Sequence, residues 1–318
     1  MTEQILEEET IDRRKNGNMK KEPRKRKKRR PLAETVFLIV CLAYSLIQLA
    51  VFYFYVNLES FTLAFRKVDA DLNFQWVGFD NFKQVFSDFF SKDSVLGLAF
   101  WNSIKLWGLT FVISMPLTIF FAFVIYKQYR GSKIFRGLVM LPSIISGMLL
   151  GLIFKKFVVS LPGDNLPAFL SDSGWIFPTI VFYCVWTGFA GGMIVYPNMM
   201  NGIDPSIRES AILEGCSALE ELWHIVLPMI LPTFTTYTVT SIAGLFTTAG
   251  PVFLLWAYDA PNEAFNMGYF IFAQSTRQGA ATWYGYISAL GLILSAISIP
   301  LTFGVKAILE KADPMNEK

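Results

Sequence analysis

Apolar and polar positions alternate along this chain in long blocks rather than at short period. From Thr35 to Val56 it reads TVFLIVCLAYSLIQLAVFYFYV, 22 residues without a charge, where roughly 20 suffice to cross a bilayer as a helix. Comparable blocks follow at about 96–126, 137–156, 175–200, 229–256 and 283–307. Only structures that pair their own backbone groups can span lipid, and helices do so within one segment. The pattern therefore predicts an all-α membrane protein with six transmembrane helices over residues 32–310, a basic tail at 1–31 and a short tail at 311–318.

The blocks are interrupted in a particular way. Pro116, Pro142, Pro178, Pro197, Pro232, Pro251 and Pro300 fall inside or at the edge of apolar runs. Proline in a membrane helix is tolerated when neighbours satisfy the freed carbonyl, so these residues mark either packing kinks or kinks that shape a central cavity. The small-residue run GFAGG at 188–192 permits close helix approach. Ionisable side chains are nearly absent from the runs. Lys105 falls near one end, where its stem can snorkel. A proton-coupled carrier needs a buried Asp, Glu or His, and the only histidine, His224, lies between apolar blocks.

Composition agrees with this reading. The chain is 53% hydrophobic and 17% charged, with a mean hydropathy of +0.42, against roughly 25% charged residues in soluble domains. A net charge of +3 hides an asymmetry, since 12 of the 28 Lys and Arg precede residue 31. That run repels itself and forms no core. It reads as a cytoplasmic juxtamembrane anchor rather than a signal peptide, because the apolar block after it is long enough to span. With the N-terminus inside, about 20 basic residues face the cytoplasm, including Lys127, Arg130, Lys133 and Arg136, which predicts both termini there. Cys41, Cys184 and Cys216 are far apart and read as free thiols, with no metal-ligand spacing.

One polar stretch, residues 202–228, is punctuated differently. Asp204 and Pro205 form a helix start. Glu209 lies in the half of that helix that favours an acid. Ile207, Ala211 and Ile212 share a face, and Gly215 can supply the left-handed residue that ends it. Ser217 and Glu220 then form a capping box. Leu219, Leu222, Trp223 and Val226 follow at i, i+3, i+4 and i+7. The expectation is two short cytoplasmic helices about a glycine turn, with Pro228 at the end of the second. Acids at 204, 209, 214, 220 and 221 against the single base Arg208 argue against nucleic acid, which needs the opposite balance. They suit docking into a groove on a cytoplasmic protein.

The spacing Glu209, Ala211, Gly215, nine residues, then Ile225, Leu227 and Pro228 resembles the E-A-A-x3-G-x9-I-x-L-P loop of binding-protein-dependent ABC transporter permeases, with Ser210 in place of the second family residue. WVGFDNFKQVF at 76–86, FWNSIK at 100–105 and FRGLVMLPSIIS at 135–146 resemble elements of the sugar type, the maltose and glycerol-phosphate subfamily. The resemblance covers roughly residues 35–310. It implies a MetI-like type I ABC importer permease fold, with Glu209, Ala211, Glu214, Gly215, Ile225, Leu227 and Pro228 in the ATPase-coupling loop. It implies a second permease subunit, two ATPase subunits that hold ATP and Mg, an extracytoplasmic solute-binding protein and a sugar substrate. It implies no catalysis and no cofactor or metal in this subunit. The outer loop at 157–174 is short where the maltose permease has a large external domain.

The chain has no G-x-x-x-x-G-K-[ST] phosphate loop of its own. Candidates for the solute path are Asn102, Trp186 and Thr187, with Thr240, Gly244, Thr247 and Thr248 expected on one face of the fifth helix. That face serves either packing or the cavity. A peptide or amino-acid permease with the same core is the alternative. A membrane-embedded enzyme would need convergent polar groups that one histidine and scattered acids do not supply.

Overall fold

The structure, a computed structural model, describes residues 32–69, 73–92, 94–161, 168–188, 191–277 and 279–312. The basic tail, Phe189 and Ala190 of the GFAGG run, residues 162–167 of the 157–174 loop and residues 313–318 lie outside the described residues.

The chain divides into two units, residues 1–57 and 58–318. In the first, α1 (Leu32–Gln48) runs into a π-helical segment, Leu49–Tyr55, with no buried residue. Phe37, Ile39, Phe52 and Tyr55 are all exposed, as a sequence that is apolar on every side requires when lipid is the solvent. Next comes α2 (Val56–Leu63).

The second unit continues with a two-stranded antiparallel hairpin, β1 (Arg66–Val68) and β2 (Phe74–Trp76), with Lys67 opposite Gln75. Its helices are α3 (Asp80–Phe90), α4 (Val95–Tyr126), α5 (Ser132–Ile144), α6 (Gly147–Ser160), α7 (Ser173–Gly188), α8 (Gly192–Asn201), α9 (Pro205–Leu213), α10 (Ala218–Glu221), α11 (Leu227–Ala243), α12 (Gly250–Trp256), α13 (Met267–Thr276) and α14 (Tyr284–Lys311).

Four helices are long and apolar enough to cross a membrane, Val36–Leu63, Val95–Tyr126, Ala218–Ala243 and Ala281–Lys311. Two bent pairs, α5 with α6 at 101° and α7 with α8 at 43°, bring the number to six when each pair is counted as one span. Of the six expected blocks, those at 35–56, 96–126 and 283–307 are continuous helices, two coincide with the bent pairs, and the one at 229–256 is continuous only to Ala243. Pro142 withholds a backbone donor near the end of α5, and Ile145 and Ser146 are non-helical with ψ of 139° and 130°. At the second break Gly192 is required, because a β-carbon there would stand 2.3 Å from Thr118 Cγ2 on α4.

Three apolar clusters hold the second unit together. One joins α3, α4 and α14 through Val85, Ala99, Tyr286 and Leu290. One joins α6, α7, α12 and α13 through Phe154, Ile180, Val252 and Tyr269. The third joins α4, α8 and the start of α11 through Phe123, Tyr196, Met200, Val226 and Ile230.

The block at 229–256 departs from the expected single helix. α11 ends at Ala243, residues 244–249 leave the helix, and α12 starts afresh with Pro251 in its first turn. The hydroxyls of Thr247 and Thr248 both donate to the Gly244 carbonyl, at 3.3 and 2.9 Å, closing a turn in place of a ladder bond. Gly268 presses on this turn, since a β-carbon there would lie 2.5 Å from the Thr248 carbonyl carbon. Thr240, Gly244, Thr247 and Thr248 therefore do not share one helix face.

The hairpin and α13 have no counterpart among the expected elements. Asn81 explains why the DNF sequence matters locally. Its buried amide donates to the carbonyls of Ala64 and Arg66, both at 2.8 Å, tying α3 to the chain entering β1. Gly285 at the start of α14 completes the joint, because a β-carbon there would meet the Arg66 oxygen at 2.1 Å.

Candidate functional site

A cavity of about 570 Å³ opens between α4, α7, α8, α11 and the unwound turn. The longest wall comes from α4, where Ser103, Trp107, Thr110, Ser114 and Thr118 recur at helical spacing on one side. Tyr183 and Thr187 come from α7, Tyr196 from α8, and Tyr237 and Ser241 from α11. Leu150 and Leu254 add apolar surface. No Asp, Glu, Lys, Arg or His is among the described lining residues. Trp107 Nε1–H donates to Ser241 Oγ at 3.3 Å, bridging α4 and α11. The hydroxyl oxygens of Thr110 and Ser114 are covered and have no hydrogen-bond partner among the described residues. Such a group costs about 1–3 kcal/mol while it stays unmatched.

Of the seven path residues expected from sequence, Thr187, Gly244 and Thr248 line this cavity. Asn102 is buried beside it and donates its amide to the carbonyls of Glu263 and Phe265, at 2.9 and 3.0 Å, so it positions the strap before α13. Trp186 stands off the wall and packs its ring 5.9 Å from that of Phe154. Thr240 and Thr247 are exposed, their hydroxyls returned to the Thr236 and Gly244 carbonyls. Trp107, Thr110, Ser114, Tyr196 and Tyr237 were not singled out from sequence. The hydroxyl stripe along α4 is visible there, at 103, 110, 114 and 118, once it is asked which side of an otherwise apolar helix is polar.

The 202–228 loop forms by the local chemistry its sequence announces. Asp204 Oδ1 accepts from Ser206 N at 2.9 Å, and that bond holds its carboxyl below the usual range. α9 ends in a Schellman turn, with Gly215 at φ +79°, Cys216 N donating to Ala211 O and Gly215 N donating to Ile212 O. The capping box is complete, with Glu220 N donating to Ser217 Oγ at 3.4 Å and Ser217 N donating to Glu220 Oε2 at 2.8 Å.

Two expectations are corrected here. Pro228 does not end the second helix, which continues from Ala218 to Ala243. A π-helical segment, Leu222–Val226, widens the helix just before Pro228, and Leu227 N donates to Leu222 O five residues back. The wider turn seats a ring that has no N–H to offer. The apolar stripe also divides. Leu222 and Val226 are buried in the third cluster, while Leu219 and Trp223 are exposed together with Ile212 and Leu213. Among the other loop residues, Glu209, Glu214 and Gly215 are exposed, Ala211 is buried, and Ile225, Leu227 and Pro228 are half-buried.

An ion pair missed in the sequence anchors this loop. Lys127, the C-cap of α4, donates from Nζ to Glu221 Oε2. The side chains are 12% and 4% exposed, so the pair is shielded from water. Lys127 Nζ also lies 5.5 Å from the Phe123 ring centroid, and the Arg208 guanidinium lies 5.7 Å from that of Tyr126.

Comparison with known proteins agrees with the geometry. Protein LplB of Bacillus subtilis is 27% identical over 277 residues, covering 81% of this chain and 84% of that protein. The multiple sugar-binding transport system permease protein MsmF of Streptococcus mutans is 24% identical, covering 86% and 92%. The polygalacturonan/rhamnogalacturonan transport system permease protein YteP of Bacillus subtilis is 22% identical, covering 81% and 83%. Among solved structures, a bacterial ABC transporter involved in the import of the acidic polysaccharide alginate shares the fold, with a TM-score of 0.75 at 22% identity over 88% of this chain and 96% of that one. The family model of the binding-protein-dependent transport system inner membrane component matches residues 111–313. That match takes in Ser114 and Thr118 of the α4 wall, the Lys127–Glu221 anchor, the whole 202–228 loop and the unwound turn, and the chain belongs to this family of membrane-embedded transport subunits.

Proposed function

We propose that this chain is one of two permease subunits of an ATP-driven importer of oligosaccharides and that its cavity is half of the solute path. The observation that carries the reading is the cavity wall. It offers rings and hydroxyls, those of Trp107, Tyr237 and Ser241 among them, and no ionised group among the described residues. Sugars are bound by aromatic faces and hydroxyl hydrogen bonds, in sites of roughly 300–1,000 Å³. Relatives named for multiple-sugar and polygalacturonan/rhamnogalacturonan transport support a saccharide over a peptide.

In this reading the 202–228 loop lies on the cytoplasmic side with both termini. Its exposed Leu213, Leu219 and Trp223 seat in a cleft of an ATPase subunit, framed by Glu209 and Glu214. Gly215 sets the turn, while Ala211, Ile225, Leu227 and Pro228 hold the loop to its own domain. Two such ATPase subunits hold ATP and Mg, so this subunit performs no catalysis. A second permease completes the cavity, and an external solute-binding protein delivers the sugar; a bacterial alginate ABC transporter has been solved in complex with an alginate pentasaccharide-bound periplasmic protein. ATP-driven closure of the ATPases moves the loop and turns the cavity outward, an alternation of rigid elements.

The test is reconstitution of the complex in proteoliposomes with its binding protein. Uptake of labelled neutral oligosaccharides against that of peptides decides the solute class. Stimulation by a peptide-loaded binding protein, with none by a sugar-loaded one, overturns the saccharide reading.

A further inference from the structure

We propose that Lys127 and Glu221 are a positioning pair that transmits movement of the 202–228 loop to the cavity wall. The proposal rests on the reading that this loop meets the ATPase. Lys127 caps α4, a helix that continues unbroken through the cavity residues Thr118, Ser114, Thr110 and Trp107. Glu221 closes α10, at the start of the helical run that carries Tyr237 and Ser241 to the opposite wall. The pair therefore joins the loop-side ends of two cavity helices. At the cavity the same two helices meet again where Trp107 donates to Ser241. Motion imposed at the loop reaches both walls through one junction.

The pair is poorly explained as a stabilising device. Glu221 is almost wholly covered, yet its second carboxylate oxygen, Oε1, has no hydrogen-bond partner among the described residues. Burying two charges costs several kcal/mol per ion and is offset only when the remaining lone pairs are satisfied. A buried pair kept with an acceptor unspent is suited to a joint whose partners change between two arrangements. The Lys127 cation resting 5.5 Å from the Phe123 ring centroid and the neighbouring Arg208 at the Tyr126 ring place a second cation close to the same junction.

The experiment uses the complete transporter in nanodiscs, with Cys41 and Cys216 replaced by serine. The probe is N-ethylmaleimide on Cys184, a cavity-lining thiol. Alkylation rate is measured with and without trapping by ATP and vanadate. The parent is expected to show a change of about tenfold between the two states, and Lys127→Met or Glu221→Gln to reduce it to about twofold, the scale of coupling losses along packed networks. The ATPase subunits stay bound in both variants. Lys127→Arg, which keeps the cation, and the exchange Lys127→Glu with Glu221→Lys restore most of the response.

A merely structural pair predicts lower thermal stability with the nucleotide response intact. That outcome overturns the proposal, as does a loss that neither Lys127→Arg nor the charge exchange recovers. A parent complex whose Cys184 ignores nucleotide overturns the loop-docking reading itself, and the proposal with it.

Discussion

Gly192 on α8 faces Thr118 on α4 so closely that a β-carbon would stand 2.3 Å from Thr118 Cγ2 and 3.0 Å from the ring of Tyr196. The contact sets how near the two helices approach beside the cavity, since all three residues line it. Gly192→Val is expected to cost about 1–3 kcal/mol by overpacking. A lowered thermal transition of the purified protein, with uptake reduced, checks it. An unchanged transition would show that α8 shifts without cost.

Thr110 and Ser114 line the cavity with their hydroxyl oxygens covered, and these are expected to turn toward the solute when it binds. Thr110→Val and Ser114→Ala each remove an oxygen that has no hydrogen-bond partner among the described residues. If a sugar hydroxyl fills that role, each variant raises the KM for uptake by about tenfold, the worth of one hydrogen bond. If the oxygens serve nothing, both variants become more stable and KM does not move.

The unwound turn separates two neighbours that helical spacing alone treats alike. Both are exposed, but Thr248 lines the cavity and Thr247 is absent from its lining. Thr248→Trp is expected to block uptake while the complex still assembles, and Thr247→Trp to leave most uptake in place. Uptake assays on both variants, with co-purification as the control, decide the matter. The reverse ranking would place the path on the other side of the turn.

Gly215 holds a left-handed conformation at φ +79°. Gly215→Val therefore carries a backbone penalty of about 1–2 kcal/mol, concentrated at the joint between α9 and α10. Loss of ATPase co-purification is expected. Glu209→Lys alters only an exposed charge and is expected to weaken the same association without lowering thermal stability.

The capping box gives the loop an acid limit. Glu220 lies below the usual carboxylate range, because the Ser217 N–H, and less so the Ser217 hydroxyl, favour its charged form. A depressed carboxylate contributes its stabilisation in full above the ordinary value and loses it as pH falls through the lowered one. A spin label at Leu219→Cys should stay equally immobile between about pH 6 and pH 8 and loosen in acid. Glu220→Gln should abolish that acid step.

Much of the loop was legible in the sequence because capping chemistry is local. Asp204, Gly215, Ser217 and Glu220 each act on neighbours within a few residues. The six spans were legible for the same reason, since hydropathy is a property of a window. What was hidden depends on distant partners. Asn102 reads as a free polar group until the carbonyls of Glu263 and Phe265 arrive more than 160 residues later. Lys127 and Glu221 are 94 positions apart, and each looks like an ordinary loop charge. The turn that follows Gly244 packs at Thr248 and Ala249 against Gly268 of a later helix, a contact no local window reveals.

The uncharged wall has an electrical consequence. Each elementary charge carried across the membrane field exchanges about 2.3 kcal/mol per 100 mV. The described lining offers no ionised side chain to be carried, and the buried Lys127–Glu221 pair is of opposite sign and would move as a neutral dipole. The described wall and this pair therefore add almost no gating charge, and any voltage dependence of switching must come from charges off the wall, such as Lys105 on α4 or Lys155 and Lys156 on α6.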